Sequence, residues 1–197
     1  MGEMEYRQTD GRMQRSERTR ALIVQAHADL LREGVLKPTA ALIAERAGVS
    51  RRTLWSNFRD MESLLGATVE YWFRADDELR TEIEPGAPLE DRILRFCAER
   101  ERRLVNIAPA ARAAVLGEPD YEALRASRHG HIARVRSDVK KTFAPELAAS
   151  ASPEVLIDSL TAATSWNLWS LMFDDHGYPA DRCRRIMEMS VRALLQG

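Results

Sequence analysis

The sequence has few cysteines, no long apolar run and almost no pattern typical of a β-strand. Two cysteines, Cys97 and Cys183, are too few for a disulfide framework, and 197 residues can bury a core without one. No apolar stretch approaches the ~20 residues that cross a bilayer. The polar segment 1–19 lacks the apolar centre of a signal peptide, so secretion is not expected. These features favour a protein of the reducing cytoplasm with no membrane partner.

Helical periodicity, interrupted by proline and glycine, is the main structural signal along the chain. It predicts an all-α protein of about nine helices. Gly34 is expected to close the first helix, and Pro85 and Pro88 are expected to interrupt the chain after the fourth. The predicted helices span about 16–33, 39–47, 50–58, 60–84, 89–105, 110–116, 119–142, 154–173 and 180–196, with a connector at 145–153.

The positive charge of the chain is concentrated near its N-terminus. Residues 12–59 hold ten basic and four acidic side chains, a net charge of +6. The residues from Asp60 onward sum to −5, and the whole chain carries −1. A basic head followed by an acidic body is typical of a protein in which only the head meets phosphate.

The segment 40–58 contains the residues that two short helices joined by a tight turn require. Ala44 is expected to face the partner helix, where a larger side chain would push the two helices apart. Gly48 is expected in the turn, because the backbone needs a positive φ there. Ser50 is a candidate N-cap of the second helix. Four apolar residues are predicted to share a core with the first helix: Ile43, Ala47, Val49 and Leu54.

The second helix of this pair is polar on its predicted outer face, as a helix in the major groove must be. Arginine binds guanine edges, asparagine binds adenine, and threonine or tryptophan contacts a thymine methyl group. Thr39, a candidate N-cap at the start of the preceding helix, offers a hydroxyl and backbone amides to a phosphate. A purely structural helical pair is the alternative interpretation. The predicted DNA-binding residues are Thr39, Ser50, Arg51, Arg52, Thr53, Trp55, Ser56 and Asn57.

The stretch from Ser16 to Trp72 resembles the TetR family of bacterial one-component repressors. The resemblance rests on "IAERAGVSRRTLWSNF", Ile43 to Phe58, followed by "MESLL", residues 61–65. It implies an all-helical homodimer whose first three helices bind DNA and whose last two helices form a four-helix bundle with the partner. The expected division is a flexible arm (1–14), a helix-turn-helix domain (15–60), a linking helix (61–85) and a ligand-binding and dimerisation domain (86–197).

Three positions depart from that family's pattern. Trp55 stands where the family usually has tyrosine, and Asn57 stands where it has tyrosine or histidine. Met61 replaces a lysine that usually meets a phosphate. The indole N–H of Trp55 can substitute as a donor, whereas Met61 cannot replace a cation. Arg59 is the candidate to take over that contact.

The body is expected to hold an effector site and a dimer interface. Arg100 falls in an apolar stripe, where it either anchors an acidic ligand or pairs with a carboxylate at the edge of the stripe. Aromatic residues nearby either line a pocket or form ordinary core or dimer packing. The candidate ligand residues are Phe96, Arg100, Trp166 and Trp169. The candidate dimer residues are Leu156, Leu160, Ala163, Ile186, Met189, Ala193 and Leu194.

The sequence as a whole predicts a DNA-binding transcriptional regulator, a repressor that a small molecule releases from a palindromic operator. The alternative is a helical small-molecule-binding protein or enzyme that retains the head as a relic. No glycine loop for nucleotides, no nucleophile with its base and no metal-ligand set is found, so neither catalysis nor a cofactor is expected. His129 and His131, two residues apart on a helix, point to different sides and do not suit one metal ion.

Overall fold

The computed structural model describes the backbone of residues 2–196 and the side chains of residues 13–196. This part of the chain is helical and contains no strand, which confirms the all-α prediction. None of its helices combines the length and the apolar content that crossing a membrane requires. The helices are α1 (Gly2–Arg32), α2 (Ala40–Arg46), α3 (Arg51–Asn57), α4 (Met61–Asp77), α5 (Leu89–Gly117), α6 (Glu122–Thr142), α7 (Ala144–Ala149), α8 (Pro153–Ala163), α9 (Trp166–Ser170) and α10 (Ala180–Gln196).

Helix α1 begins at Gly2 rather than near Ser16, so the predicted arm 1–14 is helical from Gly2 onward. The first proline of the chain is Pro38, and nothing before it forces a helix to stop. The flexibility of this segment stays a prediction, and Met1 lies outside the described residues. The helix ends at Gly34, as predicted, with φ of +88°. Gly34 N–H donates to the Leu31 carbonyl and Val35 N–H to the Leu30 carbonyl, which satisfies two terminal carbonyls.

Two helix boundaries in the middle of the chain differ from the prediction. Helix α4 ends at Asp77 instead of near Glu84, and Asp76 in its last turn enters an ion-pair network. The predicted helices 89–105 and 110–116 form the single helix α5, which contains Pro109. Proline removes only one N–H donor, and packing tolerates it here. A third difference is that α7 covers the first part of the segment 145–153, which was predicted to be a connector.

The predicted helix 154–173 is interrupted at Thr164 and Ser165. Ser165 accepts a hydrogen bond from Leu168 N–H at 3.4 Å and so starts α9 as its N-cap. A π-helical turn, Leu171–Asp175, follows α9. The Thr164 carbonyl accepts two hydrogen bonds from the Arg100 guanidinium, at 2.9 and 3.2 Å. A buried cation from another helix therefore stabilises the end of α8.

The chain divides into two compact units. Unit 1 comprises Met1–Arg74 and Pro109–Ala126, and unit 2 comprises Ala75–Ala108 and Ser127–Gly197. The core cluster of unit 1 contains Ile23, Val24, Leu30, Ile43, Ala44, Leu54, Phe58 and Leu64. The core of unit 2 includes Ile93, Phe96, Leu104, Val139, Phe143, Leu160, Trp169, Met187 and Val191.

Unit 2 contains a buried ion-pair network centred on Arg103. The Arg103 guanidinium, which is fully buried, donates two hydrogen bonds to Asp76 at 2.7 and 2.8 Å. It also donates to Glu99 at 2.9 Å and to Asp138 at 2.8 Å. Burial alone would raise the pKa of Asp76, but the hydrogen bonds and charge of Arg103 hold it below its ordinary value. Arg80 also pairs with Asp138 at 2.7 Å, but Arg103 is the partner that all three carboxylates share, which makes it the central residue of this network.

Unit 1 contains a buried histidine, and we therefore expect its free energy of unfolding to depend on pH. His27 is 3 % exposed, and its Nδ1 lies 2.9 Å from the Thr68 hydroxyl. Thr68 donates its proton to the Leu64 carbonyl at 3.0 Å, so the His27 ring is the donor of the pair. Burial lowers the pKa of His27 from 6.5 to about 4.

Lowering the pH from 7 to 5 is expected to cost about 2 kcal/mol of unfolding free energy through His27 alone. The unfolded chain binds a proton below pH 6.5 and the folded chain does not, so this stability is complete above pH 6.5 and is lost on acidification. Urea unfolding of the wild type and His27→Gln at both pH values measures the difference. Equal pH responses of the two proteins would contradict the assignment.

Candidate nucleic-acid interface

The turn between α2 and α3 has the geometry that the sequence predicts. Gly48 adopts φ of +67°, in the left-handed region. Val49 N–H donates to the Ala44 carbonyl at 2.9 Å, and Gly48 N–H donates to the Glu45 carbonyl at 3.0 Å. Ala44 is 2 % exposed and belongs to the core of unit 1 with Leu54. The turn is therefore fixed by its backbone conformation and by a small buried residue.

Gly48→Ala is expected to lower the free energy of unfolding by about 1–2 kcal/mol, since a Cβ is strained at positive φ. A Cβ at Gly48 would meet no heavy atom within 4 Å, so the cost comes from the backbone alone. Gly66→Ala is the matched control, because Gly66 lies in α4, has no positive φ and has equal space. That control is expected to be neutral or stabilising by up to about 1 kcal/mol. Equal effects in urea unfolding would refute the requirement for glycine.

Two of the predicted DNA-binding residues serve as helix N-caps. Thr39 accepts from Leu42 N–H at 3.3 Å, and Ser50 accepts from Thr53 N–H at 3.0 Å. The Ser50 and Thr53 hydroxyls lie 2.9 Å apart. These hydroxyls have local structural roles, which the sequence indicates correctly for both caps. Their contact with phosphate stays a prediction.

The outer face of α3 is exposed and cationic. Arg51, Arg52, Trp55 and Ser56 are exposed, and Trp55 retains 40 % of its accessible surface. Within the part of the chain that the structure describes, the Arg51 and Arg52 side chains have no hydrogen-bond or ion-pair partner. Their guanidinium groups are thus available to an external anion or base edge.

Asn57 holds the end of α3 against α1. Its Nδ2 donates to the Thr53 carbonyl at 2.8 Å, and its Oδ1 accepts from the Ser16 hydroxyl at 3.2 Å. Arg20 donates to the Asn57 carbonyl at 2.8 Å and lies 4.1 Å from the centre of the Phe58 ring. The side-chain amide predicted to contact DNA is therefore occupied within the protein. Sequence reasoning missed Ser16 and Arg20 because no local pattern relates residues 37 and 41 positions apart.

Ion pairs remove part of the charge that the sequence assigns to the head. Arg46 donates two hydrogen bonds of 2.7 Å to Glu33, which lower the pKa of that carboxyl. Arg59 is the candidate to replace the family's lysine, and its Nε forms an ion pair with Asp60 Oδ2 at 2.9 Å. Arg18 and Lys37 are exposed and have no such partner among the described residues. They join Arg51 and Arg52 as candidate phosphate contacts, although the sequence did not distinguish them from the paired arginines.

The candidate effector residues lie mostly in the core of unit 2. Phe96, Arg100 and Trp169 are at most 2 % exposed, whereas Trp166 is partly buried. Phe96 packs edge-on against Phe143, with ring centroids 5.2 Å apart. Arg100 neither sits at the edge of the stripe nor pairs directly with a carboxylate, since it donates to the Thr164 carbonyl. Burial, and next the charge of Arg103, lower the pKa of Arg100 to about 10, so it stays cationic at neutral pH.

The candidate dimer residues divide into exposed and buried groups. Met189 and Leu194 are 63 % and 37 % exposed, and Ala193 is also exposed. Leu160 was wrongly included, because it is fully buried in the core of its own chain. The α8 periodicity did not show that α10 covers this residue. Leu156, Ala163 and Ile186 are partly buried.

Metal and thiol chemistry receive no support from the described residues. No cluster of three or more histidine, cysteine, aspartate or glutamate side chains there is arranged to hold a metal ion. Cys97 is fully buried, and burial raises its pKa to about 12. A thiol in that state is a small core residue rather than a nucleophile.

Comparison with known proteins finds relatives by structure rather than by sequence. No protein-family profile and no curated protein matches the sequence. The fold is similar to that of a transcriptional regulator from Rhodococcus sp. Rha1, with a TM-score of 0.67, 16 % identity, and coverage of 92 % of this chain and 96 % of that one. It is also similar to a protein from Mesorhizobium loti MAFF303099 assigned to the TetR family, with a TM-score of 0.52, 20 % identity and the same coverage. The chain therefore has the all-helical fold of TetR-type transcriptional regulators.

Proposed function

We propose that this chain is a DNA-binding transcriptional regulator that represses its target and is released from its operator by a small molecule. The observation that carries the proposal is the outer face of α3, where Arg51 and Arg52 are exposed and have no ion-pair partner among residues 13–196. The turn at Gly48 and the caps at Thr39 and Ser50 hold that face in a fixed conformation. Solved structures of similar fold are transcriptional regulators, which supports the same role here.

The proposed functional form is a homodimer on a palindromic operator. Large apolar side chains on α8, on the π-helical turn and on α10 remain exposed: Val155 at 66 %, Leu171 at 45 % and Met189 at 63 %. Burying them against a second copy would remove apolar surface from water. A two-fold dimer presents two copies of α3, which matches two half-sites of a duplex.

The proposed effector is acidic. Arg100 is fully buried, and its Nη1 donates to no acceptor in the described part of the chain. The Nε1 of Trp169 is likewise buried without an acceptor. A carboxylate would supply the acceptor that Arg100 Nη1 lacks, and its preference for one conformation would shift the population of DNA-binding dimers.

Selection of duplexes from a random pool tests the DNA-binding proposal. The selected sequence is expected to be palindromic, to bind two chains per duplex, and to bind roughly a thousandfold or more tighter than its shuffled version. Affinity is expected to fall steeply with salt, because bound arginines release counterions from phosphates. A pool that yields no enriched sequence, or equal affinity for the shuffled duplex, would exclude a sequence-specific regulator.

A further inference from the structure

A groove of about 730 Å³ lies in unit 2 along α5, on residues outside the predicted effector set. Leu79, Ala98 and Val105 form its apolar wall, and Val105 is 44 % exposed. This volume falls within the range of about 300–1,000 Å³ that small-molecule sites occupy in proteins. The groove is therefore large enough for an organic ligand.

One of the two arginines that line the groove is engaged in ion pairs and the other is not. Arg184 pairs with Glu101 at 3.1 Å and with Glu188 at 3.3 Å, so its charge is offset within the chain. Arg102 also lines the groove, is exposed, and has no hydrogen-bond or ion-pair partner among the described residues. The groove thus offers an incoming anion one available guanidinium.

A second polar group in the groove lacks its hydrogen bond. The side-chain Nδ2 of Asn106 is shielded from solvent and donates to no acceptor in the described part of the chain. Asn106 follows Val105 on α5, so the unused donor lies next to the apolar wall. A shielded donor without an acceptor costs free energy, and rotation of the Asn106 amide toward the groove would let a ligand oxygen recover it.

We infer that this groove binds a monocarboxylate with an apolar chain, the carboxylate on Arg102 and Asn106 and the chain along Leu79, Ala98 and Val105. One unpaired cation and one amide donor match the single charge and the two oxygens of a carboxylate. The apolar wall matches an alkyl or aryl body. This site goes beyond the proposed DNA-binding function and does not require it.

Calorimetric titration of the full chain with straight-chain alkanoates, from acetate to decanoate, measures the inferred binding. Affinity is expected to rise roughly fourfold for each methylene until the wall is covered. 1-Octanol and octylamine are expected to bind at least tenfold more weakly than octanoate, because neither carries the negative charge. Equal binding of octanol and octanoate, or no binding of any alkanoate, would overturn the inference.

Three variants locate the site. Arg102→Gln is expected to weaken octanoate binding about tenfold or more, as loss of a charge-assisted hydrogen bond does. Arg95→Gln is the matched control, since Arg95 is an exposed, unpartnered arginine on α5 outside the groove. Val105→Glu, at an exposed position that does not disturb the core, is expected to abolish binding. Undiminished binding in Arg102→Gln or Val105→Glu, with unfolding curves like the wild type, would place the ligand elsewhere and refute the site.

Discussion

Replacing Arg103 by methionine is expected to lower the free energy of unfolding by about 3–5 kcal/mol, the cost of breaking a buried ion pair. The substitution leaves Asp76, Glu99 and Asp138 buried without their common cation. Urea unfolding at pH 7 measures the loss. Arg185→Met is the control, because the Arg185–Asp181 pair is 62 % and 52 % exposed and is expected to contribute less than about 1 kcal/mol.

The destabilisation by Arg103→Met is expected to shrink as the pH falls. Without the guanidinium, burial remains as the largest influence on Asp76 and raises its folded-state pKa above the lowered value of the wild type. The penalty is therefore complete at neutral pH and shrinks on acidification until the lowered folded-state pKa of the wild type is passed. A loss below 1 kcal/mol, or a loss independent of pH, would show that the network does not depend on Arg103.

Replacing Arg52 by alanine is expected to weaken operator binding by about 10- to 100-fold, which corresponds to the 1–3 kcal/mol of a base contact. Because the Arg52 side chain is exposed and unpartnered, the dimer and the unfolding curve are expected to stay unchanged. Thr53→Ala is expected to weaken binding as well, because it removes a hydroxyl that is predicted to contact DNA. The variant retains the backbone N–H that Ser50 caps, so α3 is expected to keep its N-cap. Fluorescence anisotropy with the selected duplex measures both variants.

Arg74→Ala provides the matched control for the loss of one positive charge. Arg74 is exposed on α4, has no partner among the described residues, and lies about 20 Å along that helix from Met61. Its removal is expected to change operator affinity less than threefold. Wild-type affinity in both Arg52→Ala and Thr53→Ala, or an equal effect of Arg74→Ala, would show that α3 does not recognise DNA.

Residues that act within a few positions along the chain were predicted correctly from the sequence. Gly34 ends α1, Gly48 makes the turn, and Ser50 caps α3, because each depends on backbone conformation and on hydrogen bonds to near neighbours. Of the four apolar residues predicted to share a core with the first helix, Ile43 and Leu54 are buried in unit 1, and Ala47 and Val49 pack partly buried against them. The exposed arginines of α3 were identified because a helix fixes which side chains point away from that core.

The contacts of residues with distant partners could not be predicted from the sequence. Arg100 donates to a carbonyl 64 positions away, and through that contact it supports the interruption of a helix that the periodicity predicted to be continuous. Leu160 lies in an apolar row that the sequence could not assign to its own core or to a partner chain. Asn57 lies on α3 and was predicted to contact DNA, yet its Oδ1 accepts a hydrogen bond from the Ser16 hydroxyl.

The amino-acid sequence by itself determined the helical class, the turn between α2 and α3 and the cationic face of α3, because these follow from short-range backbone preferences and helical periodicity. Only the tertiary structure decided which charges remain available. It paired Arg46 with Glu33 and gathered three carboxylates around Arg103, and it left Arg51, Arg52 and Arg102 without partners in the part of the chain that the structure describes. The physical reason is that an ion pair forms between groups that the packing of separate helices brings within about 4 Å, and a linear pattern does not contain that distance.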